Sequence, residues 1–191
     1  MLGDRLPSTT AGQFARSVWA TSQLLTAGRL SQPTTHRARP LHFADGTTSY
    51  VFRETLVDGL PTTEPAVLVV RFSLRLVGTN PWLHAAFRRE CVLHTPLFAG
   101  FPGFRSKLWL TDPHTGVYRG LYEWDGADRA VHYAETLARL LALVSAPQSV
   151  HHHVVSPVRR DAVLRDPTLV TDGPAWSRLV PPAGPVAPRS G

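Results

Sequence analysis

The order of strand and helix patterns in the sequence predicts an α+β fold with the element order β-α-β-β-α-β. Three observations support this prediction: a Val-rich run at 66–76, two amphipathic helical patterns at 82–94 and 127–146, and two adjoining strand patterns at 104–111 and 116–124. The chain has 191 residues, of which 43% are hydrophobic, and this is enough to build the core of one such domain.

Cap residues separate the first strand from the first helix. Residues 66–76 are mostly apolar and too short for a good helix, so they predict a strand that is buried on at least one face. Asn80 and Pro81 then supply an N-cap and a proline at the first helical position. We expect a helix over 82–94 that buries a stripe formed by Leu83, Phe87 and Cys91.

The following residues predict a hairpin, a second helix and a last strand. Turn residues at 112–116 join the two strands of the hairpin. Asp125 can cap the second helix, Pro147 ends it, and the apolar and histidine residues of 149–155 predict the fourth strand. This order of elements is the split ferredoxin-like unit of an α+β sandwich.

Two further regions flank this domain, which we place at 65–165. The N-terminal extension, 1–64, contains a helical pattern near 11–29 and a hairpin signal at Asp45-Gly46. The C-terminal tail, 166–191, is rich in proline, and we expect it to be extended or disordered and dispensable for folding.

Charge and cysteine content argue against several functions. The net charge of +6 and the pI near 10.4 would suit a nucleic-acid partner, but the arginines are scattered and do not form a stripe, so no nucleic-acid binding is expected. Cys91 is the only cysteine, which favours a cytoplasmic protein without disulfides. No run approaches the roughly 20 apolar residues of a membrane span, so no membrane partner is expected.

Three stretches carry a family resemblance: "PGFRSKLWL", "GLYEW" and "AVHYAETLARL". They resemble the dimeric α/β-barrel superfamily, and in particular its small monooxygenases, over about residues 65–160. The resemblance implies a homodimer whose two sheets face each other, with a pocket between sheet and helices in each subunit. In the cofactor-independent, quinone-forming members, an Asn lies four residues before a pocket Trp. The corresponding residues here are Arg105 and Trp109.

The hairpin strands carry an unusual concentration of aromatic and cationic side chains. Because side chains alternate along a strand, Lys107 and Trp109 share one face, and Tyr118, Tyr122 and Trp124 share one face of the next strand. Antiparallel pairing would bring the two sets together. They would then line a ligand cavity, since buried Trp and Tyr need polar partners; the alternative is that they only fill the core between sheet and helices.

The remaining candidate residues complete a predicted site. We expect Arg71, Arg105, Trp109, Tyr122 and His84 to be catalytic, with the arginines or Lys107 stabilising an anion. For Arg71 the alternative is a place at the sheet edge or a pair with Glu123. The residues expected to bind substrate are Lys107, Phe72, Tyr118, Trp124, Tyr133, His151 and His153.

Neither a metal nor a cofactor is expected. His151 and His153 have the spacing of metal ligands on a strand, but no H-x-x-x-H motif, H-E-x-x-H motif or nearby carboxylate completes a set of ligands. The sequence contains no phosphate-binding glycine loop, no dinucleotide fingerprint and no Ser/His/Asp signature.

These observations lead to two hypotheses for the function. The first is a cofactor-independent enzyme that oxygenates or cyclises an aromatic or polyketide metabolite, in which a His or Tyr removes a proton and a cation stabilises the resulting anion. The second is a non-catalytic ligand-binding or stress-responsive α/β-barrel protein. In both, the partner is a hydrophobic or aromatic small molecule. A titratable residue facing the cavity would favour the enzyme.

Overall fold

A computed structural model describes residues 10–75, 95 and 98–182 of the chain. The predicted helix over 82–94, which includes the candidate catalytic residue His84, lies outside the described residues. The described helices are α1 (Thr10–Thr26), α2 (Ala127–Leu141), α3 (Arg160–Arg165) and a 3-10 helix at Pro167–Leu169. No helix in the described part of the chain is long and apolar enough to cross a membrane.

The described strands pair into one antiparallel sheet. They are β1 (Leu30–Ser31), β2 (Pro40–Phe43), β3 (Thr48–Val57), β4 (Pro65–Ser73), β5 (Phe104–Thr111), β6 (Val117–Asp125), β7 (His151–Val155) and β8 (Leu179–Val180). Their spatial order is β7-β4-β6-β5-β3-β2-β8, and β1 pairs with β3.

The four strands β7-β4-β6-β5 form the ferredoxin-like part of the sheet. Numbered in chain order from β4, they lie in the order 4-1-3-2, and α2 connects β6 to β7. The turn between β5 and β6 uses the predicted residues: the Asp112 carboxylate accepts the backbone N–H groups of His114 and Thr115, and Gly116 has a φ of 69°. The predicted α+β, ferredoxin-like fold class is confirmed.

The N-terminal extension also belongs to the sheet. Strands β2 and β3 form a hairpin around Asp45-Gly46, where Gly46 has a φ of 81°, and β3 pairs with β5. Arg119 of β6 fixes this hairpin from the buried side, because its guanidinium donates to Ser49 Oγ at 2.8 Å and to Asp45 Oδ2 at 3.0 Å. The predicted hairpin is therefore part of the same sheet as the rest of the domain.

One face of the sheet packs against α2 and the loop before β5. The core on this side combines Leu68 and Val70 of β4 with Ala130, Ala134 and Leu137 of α2 and with a group of aromatic residues described below. The helix prediction holds for 127–141, but α2 begins after Gly126, and no side chain caps it. Asp125, the predicted cap, instead accepts the backbone N–H groups of Thr63 and Glu64.

The opposite face of the sheet is covered by the chain's own C-terminal segment, 160–182. Val163, Leu164, Val170 and Leu179 are buried there, and Trp176 packs at the margin; their sheet partners are Val67, Val69, Leu108, Leu110 and Leu121. Strand β8 pairs with β2. The expectation of an extended or disordered tail is therefore wrong for 166–182, since burial of these apolar side chains offsets the weak local pattern.

This packing also changes the argument for a homodimer. The family resemblance implies a dimer whose two sheets face each other, but here the second sheet face lies under 160–182. That face is not available for such an interface. The homodimer itself stays a prediction that would require another surface.

Candidate functional site: an aromatic face around Lys107

The sheet face that packs against α2 carries most of the predicted site residues. Trp109, Tyr122 and Trp124 are buried in its core, and Tyr118 stacks on Phe72 with 5.7 Å between ring centroids. Strand alternation places them together, because β5 and β6 pair in antiparallel register with Lys107 opposite Tyr122. We call this surface the aromatic face; its members are Phe52, Phe72, Phe98, Trp109, Tyr118, Tyr122 and Tyr133, with Lys107.

Lys107 lies at the centre of the aromatic face. Its side chain is only 6% exposed, although lysine is rarely buried in proteins. The ammonium Nζ lies 3.0 Å from the ring centroid of Trp109, 4.6 Å from that of Phe98 and 4.7 Å from that of Tyr122. Each ring presents its electron-rich face to the cation, and such contacts are worth about 2 kcal/mol or more when they are desolvated.

Tyr122, whose ring borders Lys107, packs against Tyr133 with 5.7 Å between the ring centroids. Burial raises the pKa of the Tyr133 hydroxyl well above its usual range, and the charge interaction and hydrogen bond with Tyr122 raise it further. Tyr133 therefore stays protonated at neutral pH and can donate a hydrogen bond, but it cannot serve as a base. The tyrosine predicted to be catalytic is Tyr122, and its role stays a prediction.

Gly120 provides the space in which Tyr122 lies. A Cβ at position 120 would be 2.5 Å from Tyr122 Cε2 and 3.0 Å from its hydroxyl oxygen, closer than real Cβ contacts. The ring of Tyr122 thus folds back over its own strand, towards Lys107 and Tyr133. Only glycine at position 120 leaves this arrangement undisturbed.

Several members of the aromatic face were not recognised from the sequence. Phe52 lies 6.3 Å from Trp109 between ring centroids, and Phe98 lies 5.3 Å from it. Thr55 accepts a hydrogen bond from the Trp109 indole at 3.3 Å, and half-buried Arg53 is the β3 residue opposite Trp109. These residues come from β3 and from the loop before β5. The alternation of side chains along β3 shows which of its residues share a face. Only its pairing with β5 shows that this face is the one that carries Trp109.

Arg105 occupies a different place from the one that the resemblance implies. Its guanidinium donates to the Pro61 carbonyl at 2.7 Å and pairs with Asp125 Oδ2 at 3.1 Å. Burial lowers the pKa of Arg105, while the Asp125 carboxylate acts in the opposite direction. These contacts tie the loop before β4 to the end of β6. Arg105 also lines the groove described below, and its catalytic role stays a prediction.

Arg71, His151 and His153 lie on the opposite face of the sheet from Lys107. Register pairs Arg71 with Arg119 on one side and with His151 on the other, while the neighbouring residue Phe72 points to the aromatic face. Burial lowers the pKa of His153, with a further contribution from His152, so His153 is neutral at pH 7. The predicted single site is therefore divided between two faces. Across the described ranges, no group of three His, Cys, Asp or Glu residues is placed to hold a metal ion.

A groove opens beside the helix-covered side of the sheet. It has a volume of about 370 Å³ and is bounded by α1, by Leu60 and by the loop 99–105. This volume is within the range of small-molecule pockets. Phe101 and Phe104 form part of its wall, and both belong to the same core as Trp109.

Comparisons with known proteins give similarities of fold. No protein-family profile matches the chain, and a search of curated proteins finds no match. Among solved structures, an uncharacterized ferredoxin-fold protein from Listeria monocytogenes, related to antibiotic biosynthesis monooxygenases, is 15% identical with a TM-score of 0.39, covering 70% of this chain and 85% of that one. A heme-degrading enzyme from the same organism is 13% identical with a TM-score of 0.40, covering 70% and 90%.

A third structure is a monooxygenase-like protein from Listeria innocua. It is 13% identical with a TM-score of 0.37, and the match covers 70% of this chain and 84% of that one. At these TM-scores we base no statement about site or activity on them.

Proposed function

We propose that the chain is a small-molecule oxidase whose substrate, an acidic aromatic compound such as a phenol or an enolisable aryl ketone, binds at the aromatic face. The observation that carries the proposal is the cation Lys107, which is enclosed by the rings of Phe98, Trp109 and Tyr122. These rings are packed against one another and almost fully buried, so a planar substrate would have to enter between them. A fixed ammonium in low dielectric would then stabilise the oxyanion that such a substrate forms when it loses a proton.

The neighbouring hydroxyl groups support the same chemistry. Tyr133 keeps its proton because burial raises its pKa, and with Tyr122 it supplies a donor network next to the cation. Donors that remain protonated can hold a phenolate or enolate oxygen without removing its charge. The candidate base His84 lies outside the described residues and remains part of the proposal.

The proposed reaction balances without a bound cofactor. For anthrone, a planar aryl ketone, loss of the proton at C10 gives an enolate whose electrons pass to O₂. A peroxide forms at C10, and loss of one water leaves the quinone: C₁₄H₁₀O and O₂ give C₁₄H₈O₂ and H₂O. One oxygen atom enters the product and the other leaves as water. Polyketide metabolites contain the same enolisable groups, and a ring closure that consumes no O₂ would be the cyclase version.

Oxygen consumption with anthrone as the probe tests the proposal. We expect turnover to 9,10-anthraquinone, and a loss of roughly a hundredfold in kcat for Lys107→Met, because that change removes one charged group that stabilises the anion. Lys107→Arg keeps the charge and should retain more activity. The matched control is Arg139→Met, which removes one exposed positive charge on the outer side of α2.

The outcomes separate the two hypotheses. Saturable quenching of tryptophan fluorescence by anthrone without oxygen consumption would indicate a ligand-binding protein and overturn the oxidase. Equal effects of Lys107→Met and Arg139→Met on turnover would overturn the role of Lys107. A melting temperature measured for each variant shows whether a loss of activity reflects unfolding.

A further inference from the structure

A second polar cluster lies on the sheet face opposite Lys107, and nothing in the proposed function uses it. His151, Arg71 and Arg119 stand side by side on β7, β4 and β6, because register pairs Arg71 with both of the others. Residues directly paired across antiparallel strands point to the same side of the sheet. We call these three residues the basic row.

The burial of the basic row increases along it. His151 is exposed, Arg71 is half-buried and Arg119 is 2% exposed. Arg119 is held by Ser49, Asp45 and Thr47 and lies 4.2 Å from the Phe43 ring centroid, and its Nε has no hydrogen-bond partner among the described residues. Arg119 therefore forms a fixed floor, with its charge paired to Asp45 and its Nε–H unused among the described residues.

Arg71 is the member that the fold does not require. In residues 10–75, 95 and 98–182, its guanidinium has neither a hydrogen bond nor an ion pair. Its recorded interactions are longer-range ones, with Asp45 and with the like charge of Arg119. Like charges directly opposite each other on a sheet are destabilising. A half-buried arginine kept in that position has donors available for a ligand.

The C-terminal segment adds an apolar wall to the basic row. The Trp176 ring lies 5.9 Å from the His151 ring between centroids, at 41°. Gly173 allows the segment to cross His153, since a Cβ at position 173 would clash with the His153 ring. An indole face thus stands beside the exposed end of the row.

We propose that the basic row and Trp176 bind the carboxylate of a small aromatic acid. Arg71 presents a planar fork that matches a carboxylate in bidentate geometry, Arg119 offers its unused Nε–H from below, and Trp176 contacts the aromatic ring. The site is separated from the aromatic face by the thickness of the sheet, so it can bind while Lys107 is occupied or replaced.

Isothermal titration calorimetry with benzoate and benzamide tests the site. We expect benzoate to bind and benzamide, which has the same shape without the charge, to bind roughly ten- to a hundredfold more weakly. Arg71→Met should weaken benzoate binding by a similar factor. It should leave the melting temperature unchanged or raise it, because it removes a like-charge contact. If the substitution weakens binding without lowering the melting temperature, Arg71 serves a ligand and not the fold, because replacing a structural arginine would lower it.

A control variant away from the basic row tests whether the effect is specific to Arg71. Arg139→Met changes the net charge equally and lies outside both sites, so it should bind benzoate like the parent. Benzamide binding as tightly as benzoate, or Arg71→Met binding like the parent, would overturn the proposal. Inorganic phosphate that displaces benzoate with higher affinity would also overturn it, since the site would then be a phosphate site.

Discussion

Replacing Arg160 by Met should separate the C-terminal segment from the sheet. Arg160 begins α3, and its NH2 group lies 2.8 Å from Oε1 of Glu54 on β3; both side chains are 4% exposed. His36 Nδ1 contacts the other oxygen of Glu54 at 2.8 Å. Arg160→Met therefore leaves a buried carboxylate with one of its two partners, and it removes a buried ion pair that links 160–182 to the sheet.

The expected loss follows from the burial of the pair. Breaking a fully buried ion pair by removing one partner costs about 3–5 kcal/mol, because the remaining charge stays desolvated. In a domain of this size each kcal/mol corresponds to roughly 2–4 °C, so we expect the melting temperature to fall by about 10 °C. Urea and thermal unfolding followed by circular dichroism measure both quantities.

A neighbouring arginine supplies the matched control. Arg159 is 55% exposed and lies 3.6 Å from Glu123 Oε1, so Arg159→Met should change stability by less than about 1 kcal/mol. The double variant Glu54→Leu with Arg160→Met removes both charges and should recover much of the loss. If Arg159→Met and Arg160→Met destabilise equally, or if the double variant is as unstable as the single one, the reasoning from burial is wrong.

Three further predictions concern other parts of the structure. Gly120→Ala should displace the Tyr122 ring and destabilise the protein by about 1–3 kcal/mol in urea unfolding. The same substitution should cost less in a Tyr122→Leu background; an equal loss in both backgrounds would show that the two positions are not coupled. The Glu64 and Thr63 backbone N–H groups and Arg105 lower the pKa of Asp125. Its contribution to stability is therefore complete above about pH 4 and is lost as the pH falls through the lowered pKa. Asp125→Asn should be less stable than the parent at neutral pH, and its free energy of unfolding should change less with pH below about 4; parallel curves of stability against pH for the two proteins would contradict this. Truncation after Arg165 removes buried Val170 and Leu179 and should lower the melting temperature by several degrees. An unchanged melting temperature would instead support the unpacked tail expected from the sequence.

The ferredoxin-like strands could be predicted from the sequence because their signals are local. Val-rich β4, the turn at Asp112 and the helical spacing in α2 each depend on residues close together in the chain. Alternation along β5 and β6 was also sufficient to place Trp109 and Tyr122 on one face with Lys107. For these elements, local periodicity and packing agree.

Other features depend on contacts between distant residues. Arg71 and Lys107 were expected in one site, but strand parity and register put them on opposite faces of the sheet. Arg105 was matched by its distance from Trp109 in the sequence, and the shift in register between Phe104 and Ser106 gave it contacts with Pro61 and Asp125. Spacing along one strand cannot reveal which partner a neighbouring strand supplies.

The C-terminal segment shows the same division most clearly. Its prolines and irregular apolar spacing carry no periodic signal, so the sequence alone predicts an unpacked tail. In the folded chain Val163, Leu164 and Leu179 cover Leu108 and Leu121, and Arg160 pairs with Glu54. Sequence by itself determined the strands, α2 and the faces of the hairpin, because those follow from residues near one another. Tertiary structure decided what covers each face, because burial and ion pairing there join residues far apart in the chain, 106 positions apart for Arg160 and Glu54.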